Sequence, residues 1–93
     1  MKSLFSDEKV CYICGSPNVH KHHVYGGYRR TDSERYGCWL YLCPYHHTGD
    51  KGVHFNKALA DELKAECQRR CMAKHDMTIE AFRIVFNRSY IEE

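Results

Sequence analysis

Cys11-Tyr12-Ile13-Cys14 and Cys43-Pro44-Tyr45-His46-His47, with His22-His23 between them, decide how this chain folds. Each outer stretch carries two soft ligands separated by two residues. At that spacing a tight turn brings both side chains to one metal ion. Zinc takes four such ligands in a tetrahedron, so Cys11, Cys14, Cys43 and His46 would complete one structural site. Such a clip ties the N-terminus to the middle of the chain. His47 could replace His46 as fourth ligand, and spacing leaves that choice open. The plain alternative is that Cys11 and Cys14 are ordinary buried thiols.

The need for a clip follows from size. Ninety-three residues make one domain, 1–93, near the lower limit at which a hydrophobic core suffices by itself. Six cysteines could instead form disulfides. Against that, Met1-Lys2-Ser3-Leu4-Phe5-Ser6 runs straight into Asp7-Glu8-Lys9 without the apolar stretch of an export signal. No segment approaches the roughly 18 apolar residues of a membrane span. A cytoplasmic location is expected, and in a reducing compartment close Cys pairs accompanied by His read as metal ligands.

Around the clusters the chain divides into a metal-rich front and a helical back. Gly15 to Asn18 reads as a turn, and Val19 to Tyr25 as extended, ending at Gly26-Gly27. Cys38 to Leu42, rich in apolar and aromatic residues, reads as a second strand, and Thr48 to Gly52 as a loop. From about Phe55 to His75 there is no Gly or Pro. Asn56 can cap a helix there, and Phe55 stands where a hydrophobic staple would. Phe55, Leu59, Leu63, Cys67 and Cys71 recur every four residues beside Ala60, giving one apolar stripe. Lys57/Asp61 and Glu66/Arg70 are opposite charges at i,i+4 on the wetter side. Thr78 can cap a short final helix through about Phe86, with Ile79, Phe82, Val85 and Phe86 inward. Cys67 and Cys71 share a helix face as metal ligands or as buried small hydrophobes; without a second pair nearby, the hydrophobe reading is preferred.

A net charge of +2 does not by itself indicate a nucleic-acid partner. Its distribution says more. Tyr25-Gly26-Gly27-Tyr28-Arg29-Arg30, Arg35 and Tyr36 mix cations and aromatics between the two clusters. Such residues neutralise phosphates and stack on bases; the same residues also suit a solvated loop whose tyrosines complete a small core.

With four ligands assigned, His20, His22, His23, His47, His54 and His75 remain. Strand neighbours point to opposite faces, so His22 and His23 reach one site only through a twist or bulge. Otherwise one faces the site and the other packs. Neutral imidazole serves either as a metal ligand or as a general base near neutral pH.

Taken together, Cys11-x-x-Cys14, His22-His23-Val24, Leu42-Cys43-Pro44-Tyr45-His46-His47 and Gly52-Val53-His54-Phe55 resemble the HNH branch of the ββα-metal (His-Me finger) endonucleases. The chain is similar in particular to small phage- and prophage-encoded members. The likeness covers residues 11 to 55, with a weaker echo in the helix and in Phe86-Asn87-Arg88-Ser89-Tyr90. It implies a small α+β fold: a zinc-stapled ββα-metal core over 11–55 and a helical extension over 55–93, with a long helix and a short final one. By the family pattern His22 is a ligand of a catalytic metal and His23 the general base. His47 is the last catalytic ligand; His54 stands beyond the usual motif, placed to join the metal site or to contact phosphate. Arg29, Arg30 and Arg35 would face nucleic acid. The Asn that orients the base in the family falls at Cys38 here, so a backbone carbonyl or another side chain must hold His23.

The resemblance implies DNA cleavage with a divalent cation, Mg²⁺ or Mn²⁺. Imidazole ligands also suit Zn²⁺, Ni²⁺ or Co²⁺. The expected setting is the cytoplasm of a bacterial host cell, with a homodimer or a phage protein as a further partner. The alternative is a non-catalytic zinc module that binds DNA or a protein.

Overall fold

Two four-residue strands organise the front half. β1 (His20–His23) and β2 (Trp39–Leu42) pair antiparallel, His22 opposite Leu40 and His23 opposite Trp39. Directly opposed residues share a sheet face. His20 and His22 therefore lie with Leu42 and Leu40, and Lys21 and His23 with Tyr41 and Trp39. Leu40 and Leu42 are buried, so the His22 face looks inward. On the other face the Lys21 ammonium sits 4.0 Å from the Trp39 ring centre. The computed structural model describes residues 1–91.

Both strands are shorter than the stretches expected at 19–25 and 38–42, although the Val24 N–H still donates to the Cys38 carbonyl at 3.0 Å. The segment between them, read either as contacting nucleic acid or as a solvated loop, is helical. A 3-10 turn (Gly27–Arg29) leads into α1 (Arg30–Tyr36), which stops at Gly37 with φ of 80°. Ser33 stabilises this short helix from beneath. Its buried hydroxyl donates to the Tyr25 carbonyl at 2.7 Å and accepts from the Tyr25 N–H at 3.1 Å. The Cys38 N–H donates in turn to the Ser33 carbonyl. One side chain thus joins α1 to the exit of β1.

After β2, Pro44 opens α2 (Pro44–His47), a single turn that begins where a missing N–H costs nothing. The long helix α3 (Lys57–His75) starts as expected, with the Asn56 side chain accepting from the Leu59 N–H at 3.1 Å. Leu63, Cys67 and Cys71 are buried along it. Phe55 departs from the expected stripe and is 71% exposed. A staple packs the residue before the cap against the fourth helical position, which here is Ala60; a methyl group offers a phenyl ring little surface. The ion pairs Lys57–Asp61 and Arg70–Glu66 form at 2.6 Å and 2.8 Å. Thr78 caps α4 (Ile79–Phe86), whose Phe82 and Phe86 pack against the rings of Tyr25 and of each other.

Cys67 and Cys71 lie against Cys38 in this core, all fully buried. Hydrogen bonding with both neighbours, together with burial, pushes the Cys38 thiol up. These three thiols form no metal-ligand group among the described residues, and they act as small hydrophobes. Gln68, also fully buried, turns the chain end back onto α3. Its amide donates to the Ser89 hydroxyl at 2.9 Å, and its carbonyl oxygen accepts from the Tyr90 N–H at 2.6 Å. Among the described residues no helix is long and apolar enough to cross a membrane.

Candidate metal centres and the adjoining cleft

Cys11, Cys14, Cys43 and His46 converge, with one ligand atom from each lying within 4.8 Å of the others. Two tight turns produce this. In the first, the Gly15 N–H donates to the Cys11 carbonyl at 2.8 Å. In the second, the N–H groups of His46 and His47 both donate to the Cys43 carbonyl, at 3.1 and 2.9 Å. The Cys14 and Cys43 sulfurs are 3.7 Å apart, and His46 Nδ1 lies 3.3 Å from Cys43 Sγ and 3.7 Å from Cys11 Sγ. A tetrahedron with zinc–sulfur bonds of about 2.3 Å has edges of roughly 3.8 Å, so the group could hold a zinc ion. Burial would raise the Cys11 thiol, but backbone donors at Cys43, Cys14 and Ile13 outweigh it and bring it down to about 6. Of the two candidates for fourth ligand, His46 joins this group and His47 turns away from it.

His47 instead meets His22 and His54, and their ring nitrogens also fall within 4.8 Å of one another. Three separate devices bring them there. His22 projects from the inward face of β1, and His47 ends α2. His54 arrives on the loop after it, which hydrogen-bonds back along the knuckle: Val53 N–H to His46 O at 2.9 Å, and His54 N–H to His47 O at 3.2 Å. The Nε2 atoms of His47 and His54 are 3.0 Å apart. His22 stands edge-on to both rings, with centroids at 5.2 and 5.4 Å.

Burial first, then the neighbouring His47 and His54, lowers His22 to about 4. Burial and His54 lower His47 as well. Both rings are therefore neutral near pH 7, with lone pairs free for a cation. Three imidazoles, one of them exposed, fit a divalent ion that keeps coordination positions open. The outer nitrogen of His47, Nδ1, is buried without a hydrogen-bond partner. Beyond its Nε2 contact with His54, that ring has only packing to orient it, where metal-binding histidines usually have a second anchor.

The loop that delivers His54 depends on Gly52. A Cβ there would meet the His47 carbonyl carbon and oxygen at 2.8 Å and the His46 carbonyl carbon at 2.9 Å. These are backbone atoms that cannot yield without moving both histidines. Gly52→Ala is expected to cost about 1–3 kcal/mol and to detach His54 from the trio. Urea denaturation measures the first effect, and imidazole chemical shifts of His54 and His47 report the second.

His23, next to His22, takes the opposite sheet face. Its Nε2 lies 2.7 Å from Glu34 Oε2, and the Lys21 ammonium lies 2.7 Å from the other carboxylate oxygen. Lys21 first, then His23, holds the Glu34 carboxyl below its usual range. As the last residue of β1, His23 borders two hollows. One, of about 570 Å³, is shared with Glu34, Lys21, Arg30 and Arg35. The other is a cleft of about 820 Å³ that also holds His22, His54, Phe55, Lys64, Arg88 and Tyr90.

The three arginines expected at nucleic acid separate. Arg30 and Arg35 are exposed. Arg29 is tied down: its guanidinium donates to the Val85 carbonyl at 2.7 Å and lies 3.6 Å from Asp32. A carbonyl in the last turn of α4 lacks a helical partner, and Arg29 satisfies one. Of the tyrosines read with them, Tyr25 is core and donates to the Lys64 carbonyl at 2.7 Å, whereas Tyr28 is 78% exposed.

Sequence reasoning did not single out Glu34, Lys64 or Arg88. Lys57, Asp61 and Lys64 recur at helical spacing, so a polar face of α3 was readable. That His22 and His54 would look onto it was not. No family model, curated protein or solved structure matches this chain.

Proposed function

We propose that the chain is a metal-dependent DNA endonuclease of the HNH type. The observation that carries the reading is the convergence of His22, His47 and His54, two of which, His22 and His54, line an open cleft, next to a separate Cys₃His group. Two groups of different chemistry then divide the work. Thiolates with one imidazole suit a closed structural zinc, and three imidazoles suit a site with room for substrate. A divalent cation held by the trio would supply charge neutralisation for a phosphate and its departing oxygen.

The remaining steps belong to side chains. His23 accepts the proton of a water whose oxygen bonds to phosphorus as the P–O3′ bond breaks; the departing 3′ oxygen takes a proton from solvent. With Nε2–H donated to Glu34, the Nδ1 lone pair is left for that proton. Glu34 thereby supplies the orientation that an Asn gives in the family, at whose place this chain has Cys38. Arg30 and Arg35, beside His23, are suited to flanking phosphates.

One observation favours a second reading. The His23 side chain leaves β1 on the face opposite His22, which suits a DNA- or protein-binding zinc module that keeps its second metal site but performs no hydrolysis. Nicking of supercoiled plasmid separates the two. A nuclease converts it to open circles only with Mg²⁺ or Mn²⁺ present, and loses that activity in His22→Ala. Intact plasmid at every divalent ion tried would leave the binding module.

A further inference from the structure

The cleft on the His22 side holds features that the cleavage chemistry does not use. Phe55 follows the ligand His54 and presents a ring that is 71% exposed. Farther along the cleft, Tyr90 is flanked by two cations. Arg88 lies 5.0 Å and Lys64 5.7 Å from its ring centre. Neither Lys64 nor Arg88 has a carboxylate within ion-pairing distance among the described residues, whereas nearby Lys57 is neutralised by Asp61 at 2.6 Å. The buried Gln68 donates to the Ser89 hydroxyl and accepts from the Tyr90 N–H, and so holds the segment that carries Arg88 at this wall.

Two cations that form no ion pair among the described residues, in the same cleft as the exposed Phe55 ring, are complementary to a polyanion with bared π faces. They outnumber Asp61, the one carboxylate among the described lining residues, which Lys57 already engages. A paired duplex hides its base faces in the stack, and a single strand offers them. We infer that this cleft binds unpaired DNA, with Lys64 and Arg88 on consecutive phosphates and Phe55 stacked on a base next to the His22–His47–His54 group. The inference deepens the nuclease reading by naming the form of the substrate, yet binding here does not require that any bond be cut.

The test is fluorescence anisotropy of a labelled mixed-sequence oligonucleotide, single-stranded and as its duplex, with the full zinc-loaded chain and no added Mg²⁺ or Mn²⁺. The single strand is expected to bind about tenfold more tightly than the duplex. Phe55→Ala should erase most of that preference by weakening single-strand binding about tenfold. Lys64→Gln with Arg88→Gln should lower the slope of log affinity against log salt by about 1.4, two phosphates at roughly 0.7 each. All three side chains are at the surface of the cleft, and circular dichroism checks that the variants stay folded. Equal affinity for both forms, or a preference untouched by Phe55→Ala, overturns the inference. Plasmid nicking run in parallel keeps the two ideas apart. Single-strand binding without nicking would refute only the nuclease, and nicking without this preference would refute only the cleft's assignment.

Discussion

Cys11→Ser is expected to yield a chain that holds no zinc and does not keep its fold. A structural zinc contributes an apparent 10–16 kcal/mol, roughly, in small domains. That is as large as the whole stability of an ordinary domain, about 5–15 kcal/mol. The group joins Cys11 and Cys14 to the Cys43–His46 turn, and little else fastens the first knuckle to the sheet beyond the Tyr12 N–H to Tyr41 O bond at 2.9 Å. Cys43→Ser should do the same, and a strong chelator should unfold the parent chain reversibly. Elemental analysis with far-ultraviolet circular dichroism reads both effects. His54→Ala is the control: an exposed side chain outside the quartet, whose removal should leave zinc content and melting unchanged. A folded, zinc-free Cys11→Ser variant would overturn the clip.

The second large effect concerns cleavage. If His23 is the base, His23→Ala should slow plasmid nicking by about 10²–10⁴-fold, the usual worth of general base catalysis, without loss of fold. On that reading Glu34 would act through His23, 2.7 Å away, without touching substrate. Glu34→Ala should therefore cost less than His23→Ala, and nothing further in the His23→Ala background. Glu34→Gln, which keeps an acceptor for Nε2–H, should recover part of the loss. If Glu34→Ala slows the His23→Ala variant as much as it slows the parent, the carboxylate does not act through that ring. An unchanged rate in His23→Ala removes the histidine from the chemistry altogether.

What could be read in the chain was local. Cys11, Cys14 and Cys43 follow from the spacings, because a tight turn determines where its own ligands point, whereas the choice of His46 over His47 as fourth member needed the structure. The split of His22 and His23 to opposite faces follows from strand alternation, and both helix caps from side chains that accept their own helix's first N–H groups. What stayed hidden depends on contacts between distant segments. His54 reaches His47 only because a loop lies on knuckle backbone at Gly52. The helix Arg30–Tyr36 is short and relies on Ser33 bonding back to Tyr25. Glu34 finds His23 through that helix, and Arg29 is diverted to a carbonyl of α4 far along the sequence. Phe55 was misplaced for a different reason. Its four-residue spacing continues the stripe of α3, but the helix begins only after Asn56, so the ring precedes the face it was counted on.

Calorimetric titration of Mn²⁺ into the zinc-loaded chain tests most directly whether the histidine trio is a second metal site apart from the clip. One Mn²⁺ per chain is expected in the parent and in His23→Ala, with binding weakened or lost in His22→Ala and His47→Ala while the zinc content of all four stays at one. Absence of Mn²⁺ binding by the parent, or equal loss in His23→Ala and His22→Ala, would contradict that second site.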